Sequence, residues 1–151
     1  MTTRKHIYEE VFNASAETVF GLLHTPSAIR QWWGASHAIV DQREGGVWVG
    51  VWGDEDSPEF ITAGRMSVFD PPRRLKFSDF EYYARNGPLP FAADLTSEFT
   101  VTELGPNQTS LRVVQDGFPM DPAADEFYAG CERGWHETFA GIRKYLEAGF
   151  A

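Results

Sequence analysis

The sequence predicts an α+β fold in which a curved antiparallel sheet wraps around one long C-terminal helix. Two short helices, residues 16–24 and 26–33, follow an initial strand-like run. Six further runs rich in β-branched and aromatic residues come next, separated by turns that contain Gly, Pro or Asn. A helix over residues 123–147 completes the expected order, which is β-α-α-β6-α.

The first strand and the two short helices are marked by their end signals. Residues 7–13 contain apolar residues among charges, which predicts a strand leading into Ser15, a residue favoured at helix N-caps. The second helix begins at Pro26, because proline is tolerated at a first helical position, and it ends at Gly34.

The middle of the chain is expected to form one meandering antiparallel sheet. Its strands are predicted over residues 37–42, 47–52, 60–69, 75–80, 95–104 and 109–116. Most connections are short enough for hairpins, including an acidic loop over residues 53–59. The excursion over residues 81–94 is longer than a hairpin needs, so it is either a lid over a pocket or a surface insertion.

The C-terminal helix carries one apolar stripe at spacings of three and four. The stripe consists of Phe127, Cys131, Trp135, Phe139, Ile142 and Leu146. At roughly 1.5 Å per residue the helix is about 37 Å long, enough to cross a sheet. Its glycines, Gly130, Gly134 and Gly141, indicate close backbone approach or a bend.

Composition narrows the class of protein. A length of 151 residues predicts a single domain over residues 1–151. The net charge of -9 argues against a nucleic-acid partner. No apolar stretch of about 18 residues and no apolar leader is present, so no membrane span and a cytoplasmic location are expected. Cys131 is the only cysteine, which excludes an intramolecular disulfide and a cysteine-based metal cluster.

The aromatic content of 15% exceeds what a small core needs, so some rings are expected to line a cavity. In the last two strands the odd-numbered residues are mostly apolar and should point inward, with Ser97 and Gln115 as polar residues on that face that need a hydrogen-bond partner. For residues 47–52 and 60–69 both faces are apolar or mixed, so the sequence does not decide which face lines the cavity.

The sequence contains no motif that identifies a reaction. It lacks a phosphate loop, a dinucleotide glycine fingerprint, a nucleophile elbow and a zinc-binding pair of histidines. No cofactor and no metal are therefore expected. Catalytic residues stay unassigned, and the ionisable candidates are His136, Glu98, Asp79 and Tyr128.

The chain resembles the START-like (SRPBCC) superfamily with its helix-grip fold, in the subgroup related to the C-terminal domain of the chaperone ATPase activator. Motifs in the first third that carry the resemblance are Phe12-Asn13-Ala14-Ser15, Val19-Phe20, Thr25-Pro26, Gln31-Trp32-Trp33-Gly34, Asp41, Arg43 and Glu44-Gly45-Gly46. Later ones are Gly64, Phe69-Asp70-Pro71-Pro72-Arg73-Arg74-Leu75, the 109–115 strand, Asp116-Gly117-Phe118 and Gly134-Trp135. Two departures are Glu10, where the family usually has Arg, and Ser15, where it often has Pro.

The resemblance implies a deep pocket between the sheet and the long helix. The first hypothesis is that this pocket binds a small hydrophobic, aromatic ligand. Its expected lining is Trp33, Trp48, Trp52, Met66, Phe77, Phe99, Val113, Gln115, Trp135 and Phe139. Two alternatives stay open: a polyketide cyclase-like or hydrolase-type enzyme using the same cavity, and a chaperone-activator-like interaction domain. A homodimer is also compatible with the sequence. A fold family does not fix a function.

Overall fold

The computed structural model describes residues 2–149. The strands are β1 (Thr3–Phe12), β2 (His37–Val40), β3 (Val47–Asp54), β4 (Ser57–Asp70), β5 (Arg74–Ala84), β6 (Thr96–Gly105) and β7 (Gln108–Pro119). The helices are α1 (Ala16–Leu22), α2 (Pro26–Trp32) and α3 (Asp125–Glu147), the last preceded by a 3-10 turn, Pro122–Ala124. The predicted α+β helix-grip order is confirmed.

All seven strands form one antiparallel sheet in the order β1-β7-β6-β5-β4-β3-β2. The meander from β2 to β7 is sequential, and β1 joins it beside β7 through pairs such as Ile7 with Val114. The two short helices cover one end of the concave face, where the Ser15 side chain caps α1 by accepting from the Thr18 N–H. None of the helices within residues 2–149 is long and apolar enough to cross a membrane.

Strands β3, β4 and β5 are each longer than the sequence predicts. The acidic 53–59 segment is mostly strand, because Asp54 pairs with Ser57 and the Glu59 carbonyl accepts from the Arg85 N–H at 2.9 Å. Polar side chains gave these residues a loop-like pattern, yet their backbone groups are satisfied by neighbouring strands. Since β5 continues to Ala84, the excursion between β5 and β6 starts later than expected.

The two halves of α3 have different surroundings. In its C-terminal half, Phe139 and Ile142 are fully buried against the sheet and the short helices. In its N-terminal half, Phe127, Cys131 and Trp135 are only half-buried. The apolar stripe therefore packs as a core at one end and borders open space at the other.

Strand β1 is tied to α3 near both ends of the helix. Arg4 donates to the Asp125 carboxylate at 2.5 Å, and Arg143 donates to the Glu10 carboxylate at 2.5 Å. Glu10 also accepts from the Tyr8 hydroxyl, which helps raise the pKa of Tyr8 to about 12. Burial opposes ionisation of Glu10, but the bonds from Arg143 and Tyr8 hold its pKa below the ordinary value.

Gly141 and Gly134 lie on the same helix but in opposite environments. A Cβ at Gly141 would sit 2.8 Å from the Trp32 carbonyl oxygen, whereas one at Gly134 would meet no atom within 4 Å. Close backbone approach therefore explains why residue 141 is glycine, but it does not explain why residue 134 is glycine.

We expect Gly141→Ala to lower the free energy of unfolding by about 1–3 kcal/mol, because α2 or α3 must shift to relieve the overlap. Gly134→Ala should instead raise it by up to about 1 kcal/mol through helix propensity. Urea unfolding followed by circular dichroism compares the two variants. Equal stabilisation by both would contradict the close approach.

His24 introduces a pH dependence of stability. Its ring lies between Phe20 and Phe69, at centroid distances of 5.3 Å and 5.2 Å. Within residues 2–149 its buried Nδ1 has no hydrogen-bond partner, and burial lowers the pKa of His24. The unfolded chain therefore binds a proton more readily than the folded protein does.

Stability should accordingly fall as the pH drops through about 6.5, the ordinary value for histidine, towards the lowered pKa of the folded state. His24→Phe is expected to flatten this part of the profile, and His37→Phe, at an exposed residue, is the matched control. Urea unfolding between pH 8 and pH 5 measures both. An unchanged slope in His24→Phe would show that another group causes the loss.

Candidate functional site

A cavity of about 970 Å³ lies between the concave face of the sheet and the N-terminal half of α3. Strands β3 to β7, the end of α2 and the 85–95 segment also contribute to its walls. The C-terminal half of α3 packs on the core through Phe139 and Ile142, whereas the N-terminal half borders this space without filling it.

Tryptophan rings form the wall nearest the short helices. Trp33 lies 5.7 Å from both Trp48 and Trp52, measured between ring centroids. The Trp48 indole donates to the Leu23 carbonyl at 2.9 Å, and that of Trp52 donates to the Trp33 carbonyl at 3.1 Å. These N–H groups are satisfied by the protein, so this wall presents aromatic carbon to the cavity.

The tryptophan face of β3 is therefore the concave one, which answers a question the sequence left open. The rings of Trp48 and Trp52 leave room only for glycine at position 50, because a Cβ there would lie 2.7 Å from the Trp52 ring. On β4 the residues Phe60, Thr62 and Gly64 face the same way, since they pair directly with Trp52, Gly50 and Trp48 and line the cavity.

The floor of the cavity is a row of rings in edge-to-face contact. Phe77 lies 6.0 Å from Phe99, and Phe99 lies 5.7 Å from Trp135 on α3. The Trp135 indole donates to Gln115 Oε1 at 2.7 Å, which connects α3 to β7. Gln115 is only 7% exposed and gives the floor a polar group.

The mouth lies where β4, β5 and the start of α3 converge. Tyr82 stacks on Phe60 at 6.1 Å and meets Phe127 edge-on at 5.7 Å. Phe91, from the 85–95 segment, contacts Phe127 at 5.6 Å, and the neighbouring Leu89 reaches the cavity wall. The segment thus borders the cavity, which places it where the lid alternative requires.

Neutral groups line the interior of the cavity. Burial raises the pKa of the Cys131 thiol to about 11, and it also raises that of Tyr82, so both are protonated at neutral pH. The charged lining residues Glu126, Arg133 and Glu137 are exposed on α3. Because the thiolate is the nucleophilic form of cysteine, the raised pKa disfavours nucleophilic catalysis at Cys131.

The predicted lining residues fall into two groups. Seven border the cavity: Trp33, Trp48, Trp52, Phe77, Phe99, Gln115 and Trp135. Met66, Val113 and Phe139 are fully buried in the adjoining core and do not border it. Met66 and Val113 lie on the concave face of the sheet, opposite Phe77 and Phe99, and belong to the core into which Phe139 of α3 packs.

None of the four ionisable candidates lines this cavity. Glu98 pairs with Arg74 on the outer face of the sheet, as its alternation predicts. Tyr128 stacks on His6 at 3.8 Å, and His136 borders a separate space of about 190 Å³ beside β1. Asp79 has a left-handed φ of 53° at an irregularity of β5.

Several lining residues were not among those predicted, chiefly Trp32, Phe60, Phe80, Tyr82, Phe127 and Cys131. Asp79 explains two of them, because its left-handed backbone breaks the alternation and turns Phe80 and Tyr82 inward after Phe77. Phe127 and Cys131 belong to the predicted apolar stripe, so the stripe itself contained the signal.

The fold and this concave site define a helix-grip domain of the START-like type. The sequence matches, over residues 13–147, the family described as activator of Hsp90 ATPase homolog 1-like protein, and the chain belongs to that family. No curated protein sequence matches it.

Solved structures agree on the fold. A protein from Mesorhizobium loti is 20% identical with a TM-score of 0.76, and the match covers 97% of this chain and 98% of that one. An HSP90 activator from Plasmodium falciparum is 16% identical with a TM-score of 0.72, covering 95% and 96%. DynU16, a protein of the dynemicin biosynthetic locus, is 21% identical with a TM-score of 0.74, covering 96% of this chain and 48% of that one. At these identities the likeness shows the fold alone.

Proposed function

We propose that this protein binds a small hydrophobic, aromatic molecule in the cavity between the sheet and α3. The observation that carries the proposal is the cavity of about 970 Å³, in which aromatic rings form the wall nearest the short helices, the floor and the mouth. Ligand pockets span roughly 300–1,000 Å³, so this volume suits a molecule of several fused rings rather than a single ring.

The chemistry of the walls supports an uncharged ligand. The indoles of Trp48, Trp52 and Trp135 donate to protein oxygens, so the rings offer faces and edges for stacking. Cys131 and Tyr82 are neutral inside the cavity at neutral pH. An ionic ligand buried among these groups would meet charge only at the exposed lining residues Glu126, Arg133 and Glu137 of α3, which makes its desolvation costly.

Titration with fluorene, a planar three-ring hydrocarbon, tests the proposal. We expect saturable one-to-one binding by native mass spectrometry, with NMR shifts at the Trp33, Trp52 and Trp135 indoles. The backbone amide of Val11 on β1, which pairs with Ser110 and does not line the cavity, is the internal reference for general effects on the fold. Absence of saturation, or a shift at Val11 as large as those at the indoles, would contradict binding in the cavity.

A second candidate function is chaperone activation, favoured by the family to which residues 13–147 belong and by the fold shared with the Plasmodium falciparum HSP90 activator. In this alternative the protein surface contacts an Hsp90-type chaperone. Co-purification with that chaperone and an increase in its ATP turnover would support it. Unchanged turnover together with no co-purification would exclude it, whatever the result with fluorene.

A further inference from the structure

We infer that Ser97 and Gln115 together form a hydrogen-bond donor site for a carbonyl oxygen of the ligand, so that the cavity selects aromatic ketones or quinones over plain hydrocarbons. The inference rests on the proposed binding function and adds to it the polar group that the ligand carries. It depends on how the two side chains are placed and on which of their hydrogen-bonding groups are free.

The two residues are direct neighbours across the sheet. Ser97 on β6 pairs with Gln115 on β7, and Ser97 also lies opposite Phe77 on β5. Both side chains belong to the concave face and line the cavity. Directly opposite residues in an antiparallel pair have Cβ atoms about 4.5–5.5 Å apart, so one ligand atom can reach both.

The orientation of the Gln115 amide is fixed by Trp135. An indole N–H can only donate, so the atom it contacts at 2.7 Å is the amide oxygen of Gln115. The amide NH₂ group must then point away from Trp135. Burial raises the pKa of the Cys131 thiol, and hydrogen bonding to Gln115 opposes this rise. Even where the thiol takes one of the two N–H groups of Gln115, the other is left for a ligand.

The Ser97 hydroxyl supplies the second donor. Among residues 2–149, the Ser97 hydroxyl forms no hydrogen bond with a side chain or a main-chain group. Around the pair the floor consists of Phe77, Phe99 and the Trp135 ring, none of which accepts a conventional hydrogen bond. Two neutral donors facing one apolar space match an uncharged oxygen acceptor, and a carbonyl oxygen has two lone pairs for them.

The test compares fluorene with 9-fluorenone, which has the same three rings and one added carbonyl group. We expect the unaltered protein to bind fluorenone roughly three- to tenfold more tightly than fluorene by isothermal titration calorimetry, as one or two net hydrogen bonds provide. Ser97→Ala and Gln115→Leu should each bring this ratio close to one. Thr102→Ala, on the exposed face of the same strand, is the matched control and should keep the ratio.

The outcomes separate this inference from the proposed function. Equal affinity of the unaltered protein for both compounds would overturn the donor site and leave hydrocarbon binding intact. A preference for fluorenone that persists in both variants would also overturn it, because other groups would then recognise the carbonyl. Failure of both compounds to bind would remove the proposed function as well. Since Gln115→Leu also breaks the bond to Trp135, Ser97→Ala decides the case if Gln115→Leu does not fold.

Discussion

Replacing Phe139 by alanine is expected to lower the free energy of unfolding by about 3–5 kcal/mol, the usual range for deleting a buried phenylalanine ring. Phe139 is 0% exposed and contacts Tyr8, Phe12 and Trp135 edge-on or at a tilt. It joins α3 to β1 and to the floor of the cavity, so several elements lose packing at once. Urea unfolding monitored by circular dichroism measures the effect.

Phe60→Ala is the matched control for that experiment. Phe60 is 36% exposed at the mouth, where it stacks on Tyr82. Its loss should therefore cost about 1 kcal/mol or less. If both variants lost the same free energy, the distinction between a packed end and an open end of α3 would be wrong.

Gly134→Leu should weaken the binding of fluorene at least tenfold, because the new side chain would enter the cavity from its helical wall. Gly134 lines the cavity, and a Cβ there meets no atom within 4 Å, so the side chain has room and needs no backbone shift. Leucine is also a better helix former than glycine by about 1 kcal/mol, so the folded protein should not be weakened. Native mass spectrometry gives the affinity, and thermal unfolding checks the fold.

Ala129→Leu provides the control, since it adds the same type of side chain at an exposed position of the same helix half. Its affinity for fluorene should stay within about twofold of the unaltered protein. Retained affinity in Gly134→Leu would mean that the ligand lies elsewhere, and the proposed cavity would have to be given up.

The fold followed from the sequence because its signals are local. Alternation in residues 95–104 and 109–116 showed which face is buried, and the spacing of Phe139 and Ile142 showed the buried face of α3. The limits of β4 and β5 did not follow, since residues such as Ser57 and Glu59 have polar side chains but backbone groups paired across the sheet.

The cavity followed only in part, because an empty space depends on tertiary distances that no local pattern contains. The stripe on α3 predicts one continuous contact, yet Trp135 borders open space and Phe139 is packed. Nor does alternation predict the inward turn of Phe80 and Tyr82, which depends on the left-handed backbone of Asp79. Strand 47–52 offered two apolar faces, and only the packing of Trp33 against Trp48 and Trp52 distinguishes them.

The links between β1 and α3 have a consequence for how a guest molecule exchanges with solvent. Arg4 with Asp125, and Arg143 with Glu10, close the flank of the helix beside β1. The opposite flank has aromatic contacts such as Phe127 with Tyr82 and Phe91. A guest molecule should therefore enter and leave by displacing the aromatic rings on that side. The rate of this exchange would then be nearly insensitive to ionic strength, although salt weakens the ion pairs between β1 and α3.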